Sequence, residues 1–368
     1  MKIKAAVLYE PNTPLVVETL DLDEPRDGEV LVRMSSSGVC HSDYHVMKGE
    51  WTMPLPMVLG HEAAGIVEKV GPGCTQVKPG QPVILNFRPN CGWCDHCVDG
   101  RPVLCNGADT PRWFQFDGTV RLHRNGEDIH HFARIASFAE YAVVPESGAV
   151  PVRQDMPLDK ASLVGCSVMT GVGAVVNTAK VEPGAKVVVI GCGGVGLNCV
   201  QGAQLAGAEQ VVAVDTKANK LDYARTFGAT DTINSSNATN EEVVERIQEL
   251  TRGGPDYAFE AIGFGPTILQ AYECTRPGGT TVVVGMAPEN DEITLNALSI
   301  PRTEKIIMGS WYGSAKAWTD LPRMCDLYLA GRLNLDDLVS RSYPLEEINE
   351  AYDALAAGDV ARSIIEYA

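Results

Sequence analysis

The chain has 368 residues, a hydrophobic content of 45%, and 30 basic against 47 acidic side chains, which give a formal net charge of −17. That composition is typical of a globular protein, and the length favours two or three domains. Because nucleic acids and anionic membranes require clustered basic surface, the charge balance argues against both as partners. The first residues lack the apolar core of a signal peptide, and no run of about 18 apolar residues predicts a transmembrane helix. We therefore expect a cytoplasmic protein.

The first part of the chain, to about residue 150, is predicted to form strands separated by Pro-Gly and Gly-Pro turns. The strand-like segments are VLVRMSSSGV, AAGIVEKVG, QPVILNF and FAEYAVVP. Few helical segments are expected there, so the pattern predicts an irregular β-barrel.

From about residue 168, short apolar strands alternate with helix-length amphipathic segments. The predicted strands are KVVVIG, QVVAVDT, DTIN, DYAFEAIG, TTVVVG and KIIMGSW. This alternation predicts a doubly wound parallel sheet of the Rossmann type, and thus an α/β protein. Two more helical segments and the strand SIIEY form a tail too short to be a domain, so we expect it to pack on the first domain. The expected domains are 1–167 with 312–368, and 168–311 between them.

A glycine-rich turn follows the strand KVVVI. It matches the pattern G-x-G-x-x-G through Gly191, Gly193 and Gly196, with Gly194 and Val195 inside it. Glycines at these points permit a tight turn, the approach of a pyrophosphate, and close packing of helix and strand. The free N–H groups of the helix that follows then face the phosphates. Between a strand and a helix, this motif predicts dinucleotide binding.

Asp215 ends the next predicted strand. A carboxylate there accepts hydrogen bonds from a ribose 2′-hydroxyl and repels a 2′-phosphate, so it favours NAD over NADP. The alternative is a structural aspartate that caps the strand.

Four of the eleven cysteines follow the pattern C-x2-C-x2-C-x7-C, at Cys91, Cys94, Cys97 and Cys105. An odd number of cysteines in a large chain without a secretion signal argues against a disulfide framework. Four thiolates on one loop suit a closed, structural zinc site. Redox-active thiols and an iron–sulfur cluster are the alternatives.

A second, looser group consists of Cys40, His61 and Cys166. Two cysteines and one histidine from separate loops are typical ligands of an open, catalytic zinc site. Each also has a simpler interpretation, as a buried cysteine or a hydrogen-bonded histidine. Spacing alone does not bring them together.

These motifs resemble those of the zinc-dependent alcohol dehydrogenases of the medium-chain dehydrogenase/reductase family. The resemblance runs the whole length and is carried by GVCHSD, GHEAAG, the four-cysteine lobe, GCSVMTGVGAV and VIGCGGVGL with VVAVD. The segment DGTVRLHRNGEDIHHF is similar to the long form, which includes the liver-type enzymes and the thiol-dependent formaldehyde dehydrogenases. The resemblance implies a GroES-like barrel for the first domain and an active site in the cleft between the domains. It also implies a catalytic zinc on Cys40, His61 and Cys166, with Glu62 as an alternate ligand or an electrostatic partner.

The resemblance implies further roles. Ser42 and His45 match a relay that carries a proton out of the site. Five positions match contacts to the cofactor: His41 and Arg362 at the pyrophosphate, Lys220 at the adenosine ribose, and Thr170 and Val195 at the nicotinamide. Surface charges and ordinary packing are the alternatives for these residues.

Alignment through the same motifs implies the lining of the substrate pocket. The lining residues are Trp51, Phe87, Thr110, Phe132, Met286 and Trp311. Glutathione-dependent relatives have an acidic residue where Trp51 stands and a carboxylate-binding arginine where Asp109 stands. Because Asp109 would repel a carboxylate and aromatic rings favour an apolar body, we expect primary alcohols with aromatic or medium aliphatic groups as substrates.

The sequence thus predicts an NAD-dependent alcohol dehydrogenase with two zinc ions per chain. The segments LDYARTFGAT, SWYG and DLYLAGRL resemble those of the actinobacterial form that uses mycothiol. A mycothiol- or glutathione-type formaldehyde dehydrogenase is therefore the enzymatic alternative. Two further alternatives are a nucleotide-binding relative without catalysis and an enzyme that never releases its NAD. The strand KIIMGSW at a sheet edge predicts a homodimer or homotetramer.

Overall fold

The computed structural model describes residues 1–107 and 110–367. Two compact units divide the chain: unit 1 is Met1–Cys166 with Lys316–Ala368, and unit 2 is Ser167–Ala315.

The N-terminal part of unit 1 consists mostly of strands with short helices. In chain order its elements are β1 (Lys2–Leu8), β2 (Val16–Leu22), β3 (Glu29–Gly38), α1 (His41–Met47), β4 (Met57–Val58), β5 (Ala63–Val70), β6 (Pro82–Leu85), α2 (Asp95–Val98), β7 (Leu122–Arg124), β8 (Glu127–His131), β9 (Tyr141–Pro145), β10 (Ala149–Pro151) and α3 (Leu158–Leu163). Short 3-10 turns cover Pro102–Leu104, Phe132–Arg134 and Glu146–Gly148.

Unit 2 alternates strands and helices. Its elements are α4 (Met169–Gly173), β11 (Lys186–Ile190), α5 (Gly194–Leu205), β12 (Gln210–Asp215), α6 (Ala218–Thr226), β13 (Asp231–Asn234), α7 (Asn240–Thr251), β14 (Tyr257–Glu260), α8 (Gly265–Cys274), β15 (Thr280–Val283), α9 (Ser299–Thr303) and β16 (Ile306–Gly309). The strands form one sheet in the order β13-β12-β11-β14-β15-β16, and every neighbouring pair is parallel. This is the strand order of a doubly wound Rossmann sheet.

The last part of the chain returns to unit 1. It contains α10 (Ala317–Leu329), β17 (Val339–Pro344), α11 (Ile348–Ala357) and β18 (Arg362–Glu366). β18 pairs antiparallel with β3, where Ile364 lies opposite Gly38, and parallel with β17. The tail therefore extends a sheet that the N-terminal strands begin, with the order β10-β6-β5-β3-β18-β17 and β9 also on β3.

A closed barrel completes unit 1, with the strand order β1-β2-β7-β8-β4. Its interior is a cluster of apolar side chains that includes Leu8, Leu20, Met57 and Phe138, each with no exposed surface. The barrel and the parallel sheet of unit 2 confirm the predicted fold class.

A continuous helix over Leu158–Ala179 includes α3, α4 and two π-helical segments, Val164–Val168 and Ala174–Ala179. Within the described chain it is the helix whose length and composition would suffice to cross a membrane, but 78% of its most apolar window is buried inside the protein. That burial is typical of a core helix. This helix was not predicted from the sequence, because glycine and β-branched valine have low helix propensity.

Candidate functional site

Three segments of unit 1 that are distant in sequence bring Cys40, His61 and Cys166 together. Cys40 directly precedes α1, His61 lies between β4 and β5, and Cys166 lies in the π-helical segment Val164–Val168. All three are buried, and their ligand atoms lie within 4.8 Å of one another. Regions of π-helix are frequent at functional sites, because the extra residue in the turn shifts a side chain out of regular helical register.

The donor set of this cluster fits a zinc ion. The Nε2 atom of His61 lies 3.3 Å from the Sγ atom of Cys166. A nitrogen and a sulfur on one tetrahedral zinc would be about 3.6 Å apart, given Zn–N and Zn–S bonds of about 2.0–2.1 and 2.3 Å. Two thiolates and one imidazole fill three positions and leave the fourth open, as in catalytic zinc sites.

Asp43 fixes the orientation of the His61 ring. It lies in the first turn of α1 and is fully buried. Its carboxylate lies 3.2 Å from Nδ1 of His61 and accepts a hydrogen bond of 2.8 Å from the backbone N–H of Gly60. With the Nδ1 hydrogen directed at Asp43, Nε2 of His61 is free to act as a ligand atom.

A buried guanidinium lies behind the cluster. Arg362, the first residue of β18, donates hydrogen bonds to the carbonyl oxygen of Val39 at 3.0 Å and to Sγ of Cys40 at 3.8 Å. The same guanidinium lies 3.8 Å from the carboxylate of Glu62, which is also buried. The Arg362 charge thus faces both a candidate zinc ligand and the residue next to His61.

These contacts shift the pKa values within the cluster. A hydrogen bond from the Cys166 side chain, and then the Arg362 charge, hold the pKa of Cys40 well below its ordinary value. Burial lowers the pKa of His61, but the charges of Asp43 and Cys40 outweigh it and raise that pKa well above its ordinary value. The cluster therefore favours a thiolate at Cys40, which is the form that binds metal. The hydrogen bond with Cys40, and then burial, raise the pKa of Cys166, so Cys166 and His61 keep protons that a bound metal would displace.

Two aromatic rings stand edge-on to His61. The ring centroid of Phe87 is 5.2 Å from that of His61, and the centroid of Phe132 is 5.5 Å away. Phe87 and Thr110 also line a cavity of about 390 Å³ in unit 1. The structure thus brings two of the predicted pocket residues to the cluster itself.

The other predicted pocket residues are Trp51, Met286 and Trp311. Trp51 packs on the barrel core and stacks on His45. Met286 and Trp311 belong to unit 2, where they are 47% and 40% exposed. Asp109 lies outside the described residues.

The helix α1 carries the predicted relay residues. Ser42 is in its first turn and His45 in its last, so the two side chains are three residues apart and point to similar sides of the helix. His41 is exposed at the start of α1, with its ring edge-on to Tyr44 at 6.2 Å.

The four-cysteine lobe forms a second cluster, around α2. The sulfur atoms of Cys91 and Cys97 are 4.0 Å apart, those of Cys94 and Cys97 are 3.5 Å apart, and those of Cys94 and Cys105 are 3.8 Å apart. Four sulfurs around one zinc would be about 3.8 Å apart. A backbone hydrogen bond from Asn106 is the main cause that lowers the pKa of Cys94 to about 6. The lobe fits a closed, structural zinc site.

In unit 2 the glycine-rich turn links β11 to α5. The Gly191 residue has a φ of +94°, which disfavours any other residue, and a Cβ on Gly196 would lie 1.7 Å from the Gly191 carbonyl oxygen. A Cβ on Gly193 would meet nothing within 4 Å. The turn is tight, and open space lies beside Gly193, at the N-terminus of α5. Gly194 and Val195 form the first turn of that helix.

Asp215, at the end of β12, stabilises the glycine-rich turn. Its carboxylate accepts hydrogen bonds of 2.8 Å from the N–H of Cys192 and 2.9 Å from the N–H of Lys217. Lys220 follows in the first turn of α6, and Thr170 is a buried residue of α4.

Comparisons with known proteins agree with this arrangement. Residues 26–154 match the alcohol dehydrogenase GroES-like domain, and residues 194–329 match the zinc-binding dehydrogenase domain. The chain is 39% identical over 378 residues to the S-(hydroxymethyl)glutathione dehydrogenase of Paracoccus denitrificans, with all of both chains covered. It is 38% identical over 376 residues to an alcohol dehydrogenase class-3 of Cereibacter sphaeroides, covering 99% of this chain and 100% of the relative. The crystal structure of benzyl alcohol dehydrogenase from Acinetobacter calcoaceticus superposes with a TM-score of 0.94 at 32% identity, with all of both chains covered.

The chain belongs to the zinc-binding alcohol dehydrogenases of the medium-chain dehydrogenase/reductase family. The family assignment made from the sequence is confirmed, and the protein is an oxidoreductase of this zinc-dependent type.

Two residues of this dehydrogenase were not predicted from the sequence. Asp43 was not given a role, although it stands three residues after Cys40 in the motif CHSD. Glu50, which bonds to His45, was also missed. Nothing in its local pattern distinguishes it from a solvated glutamate.

Proposed function

We propose that this protein is an NAD-dependent zinc alcohol dehydrogenase that interconverts primary alcohols, aromatic or medium-chain, with their aldehydes. The observation that carries the proposal is the buried cluster of Cys40, His61 and Cys166 with the rings of Phe87 and Phe132 against it. Two thiolates and one imidazole supply an open metal site, and apolar walls beside it favour a substrate with an apolar body.

Cys40, His61 and Cys166 would hold the catalytic zinc. When bound there, zinc supplies the Lewis acidity that makes an alcohol hydroxyl more acidic and polarises an aldehyde carbonyl. Cys91, Cys94, Cys97 and Cys105 would hold the second, structural zinc of each chain. We assign charge balance at the metal ligands and proton removal to the protein's own side chains.

We assign Glu62 and Arg362 the role of balancing the charge next to the metal ligands. The Arg362 guanidinium donates to the Cys40 sulfur and lies 3.8 Å from the Glu62 carboxylate. Arg362 therefore stabilises negative charge on Cys40, and Glu62 balances the charge of Arg362. An alternate role for Glu62 as a metal ligand would require its side chain to leave this pair.

We assign proton removal to Ser42 and His45 of α1. Ser42 and His45 lie near its two ends, and His45 is partly exposed, so a proton reaching His45 can pass to water. Histidine suits this step because one ring nitrogen can accept a proton while the other carries one.

Unit 2 is the proposed dinucleotide-binding domain, and unit 1 the proposed catalytic domain with its zinc lobe. The N-terminal amides of α5 beside Gly193, and the carboxylate of Asp215 at the end of β12, support NAD as the dinucleotide. Further proposed cofactor contacts are His41, Thr170, Gly191, Gly194, Val195, Gly196, Lys220 and Arg362. For Arg362 the contact would be made by a guanidinium that already bonds to Val39 and Cys40.

A thiol-dependent formaldehyde dehydrogenase is the second candidate function. It is favoured by the name of the 39% identical relative, an S-(hydroxymethyl)glutathione dehydrogenase. The aromatic rings at His61 and the likeness to a benzyl alcohol dehydrogenase favour the first.

A panel of substrates separates the two functions. Initial rates with NAD and with NADP would be measured for benzyl alcohol, a medium-chain alcohol, ethanol, S-hydroxymethylglutathione and the mycothiol adduct of formaldehyde. We expect the highest kcat/KM for benzyl alcohol with NAD. The highest kcat/KM for a thiol adduct would instead assign the second function.

We also propose that the enzyme is a cytoplasmic homodimer or homotetramer. The edge strand β16 exposes 50% of Ile306 and 38% of Ile307, and pairing with a second copy would cover both its backbone groups and these side chains. Sedimentation of the wild-type protein and of Ile307→Lys tests this. A monomeric wild-type protein would contradict it.

A further inference from the structure

A carboxylate bonds to the relay histidine. The Nδ1 atom of His45 lies 2.5 Å from Oε2 of Glu50. The backbone joins the same two residues, because the Glu50 N–H donates a hydrogen bond of 2.9 Å to the His45 carbonyl oxygen. The turn between them passes through Gly49, which has a φ of +69°. The end of α1 and the turn after it therefore hold Glu50 beside the ring.

The ring of Trp51 fixes the plane of the imidazole. The ring centroids of His45 and Trp51 are 4.7 Å apart with an angle of 23° between the planes. Trp51 itself packs on the barrel core. One contact thus restrains the plane of the His45 ring, and the bond to Glu50 restrains its rotation within that plane.

This geometry selects one form of the neutral ring. An ionised carboxylate only accepts hydrogen bonds, so the hydrogen between the two groups belongs to Nδ1 of His45. In a neutral imidazole with its hydrogen on Nδ1, the lone pair is on Nε2. A ring held in this form presents a base at Nε2. The other basic groups of this segment, His41 and Lys48, both lie against the Tyr44 ring instead.

We propose that Glu50 is a positioning residue for proton removal: it holds His45 in the tautomer whose Nε2 accepts the proton that alcohol oxidation releases, and it stabilises the imidazolium that results. This inference rests on the proposed function, because it needs a reaction that releases a proton. Neither the family motifs nor the predicted relay of Ser42 and His45 includes Glu50.

The protons and electrons balance. Oxidation of a primary alcohol breaks one C–H and one O–H bond and transfers a hydride, with two electrons, to NAD. The hydroxyl proton remains, and Nε2 of His45 takes it. The His45 side chain is 15% exposed and that of Glu50 is 42% exposed, so the imidazolium can release its proton to water. In aldehyde reduction the same ring donates the proton.

The test compares three variants in the zinc-loaded enzyme. Glu50→Gln keeps the length of the side chain but removes its charge, and an amide can donate as well as accept, so it no longer selects the tautomer. Glu68→Gln is the matched control, because Glu68 is also an exposed glutamate of unit 1, 3.7 Å from Arg33. His45→Gln removes the base itself.

We expect Glu50→Gln to lower kcat for benzyl alcohol about two- to fivefold with little change in KM, since a partly exposed charge pair contributes about 1 kcal/mol or less and 1 kcal/mol is about fivefold in rate. Added imidazole should restore much of the loss in both Glu50→Gln and His45→Gln, because a diffusible base replaces the relay. The ¹⁵N NMR signals of His45 should report hydrogen on Nδ1 in the wild-type ring and a mixture of forms in Glu50→Gln.

Each outcome has a distinct meaning. If His45→Gln is impaired and rescued by imidazole while Glu50→Gln matches Glu68→Gln in kcat and in the ring signals, the inference about Glu50 is wrong and the relay stands. If His45→Gln is as active as the wild type, the relay in the proposed function is wrong, and the role of Glu50 is wrong with it.

Discussion

The carboxylate of Asp43 connects His61 to the backbone of Gly60, at 3.2 Å from Nδ1 of His61 and 2.8 Å from the Gly60 N–H. A carboxylate on the far nitrogen of a metal-binding histidine orients the ring and makes it a better ligand. Asp43 is fully buried, so no water replaces these contacts when it is changed.

We therefore expect Asp43→Asn to weaken zinc binding by about 10- to 100-fold while one zinc per chain, that of the lobe, is retained. The amide still accepts from Gly60, so the local backbone is kept. Competition with a chelator measures the change. Asp21→Asn, on the surface of unit 1 beside Lys2, is the control. Equal zinc affinity in Asp43→Asn and the wild type would show that Asp43 only caps the Gly60 turn.

The two cysteine clusters should respond differently to the loss of one ligand. Cys166→Ser should remove one zinc and abolish turnover with the fold retained. Cys97→Ser should lower the melting temperature by more than about 5 °C, because a closed zinc site contributes folding free energy. Metal analysis and thermal unfolding of both variants check this. A stable Cys97→Ser protein with two zinc ions would contradict the assignment of the lobe.

The substitution Asp215→Ala tests whether Asp215 sets the preference for NAD over NADP. Its carboxylate accepts from the N–H groups of Cys192 and Lys217, and we propose that it also accepts from the ribose of NAD. We expect kcat/KM for NAD to fall about tenfold or more and the discrimination against NADP to weaken. Asp222→Ala, an exposed aspartate on α6, is the control. An unchanged ratio of NAD to NADP use would mean that Asp215 serves only the turn.

Stability should fall in mild acid because of His131. This histidine is buried in the barrel, where Nε2 accepts a hydrogen bond of 2.8 Å from the Arg121 N–H. Burial, and then the Arg121 charge, lower the pKa of His131 from 6.5 to about 3. Between these values the unfolded chain binds a proton that the folded chain does not, so the free energy of unfolding falls as pH falls, by up to about 1.4 kcal/mol per pH unit.

Urea unfolding at pH 7 and pH 5 measures this effect in the wild type and in His131→Gln, at equal zinc content. The variant lacks the titrating group, so its free energy of unfolding should depend less steeply on pH. Identical dependence in the two proteins would mean that His131 does not contribute.

The six strands of unit 2 and the helices α5, α6, α7 and α8 between them could be predicted from the sequence, because the alternation of short apolar runs and amphipathic segments is a local pattern. The five-residue helix α9 was not predicted. The helix over Leu158–Ala179 could not be predicted, because its valines and glycines are helical only through burial. β17 was missed as well. It is a mostly polar strand, SRSY at its centre, that forms by pairing with β18.

The residues of the candidate site likewise fall into those that the sequence pattern predicts and those that it does not. The four cysteines of the lobe lie close in sequence, so their spacing predicts their cluster. Cys40, His61 and Cys166 come together only in the folded chain, and the family resemblance, not their spacing, identified them. The contacts of Asp43 with His61 and of Glu50 with His45 depend on how α1 and its flanking turns fold. They therefore leave no pattern that a single sequence reveals.

We propose that zinc at Cys40, His61 and Cys166 makes this protein an NAD-dependent alcohol dehydrogenase. The most direct test is the rate of NADH formation from benzyl alcohol, measured on protein of known zinc content, after removal of the catalytic zinc, and after zinc is restored. We expect steady NADH formation with two zinc ions per chain, loss of activity when the catalytic zinc is removed, and recovery when that zinc is restored. The proposed function is wrong if NADH formation continues unchanged without that zinc, or if the zinc-loaded protein forms no NADH with any of the alcohols.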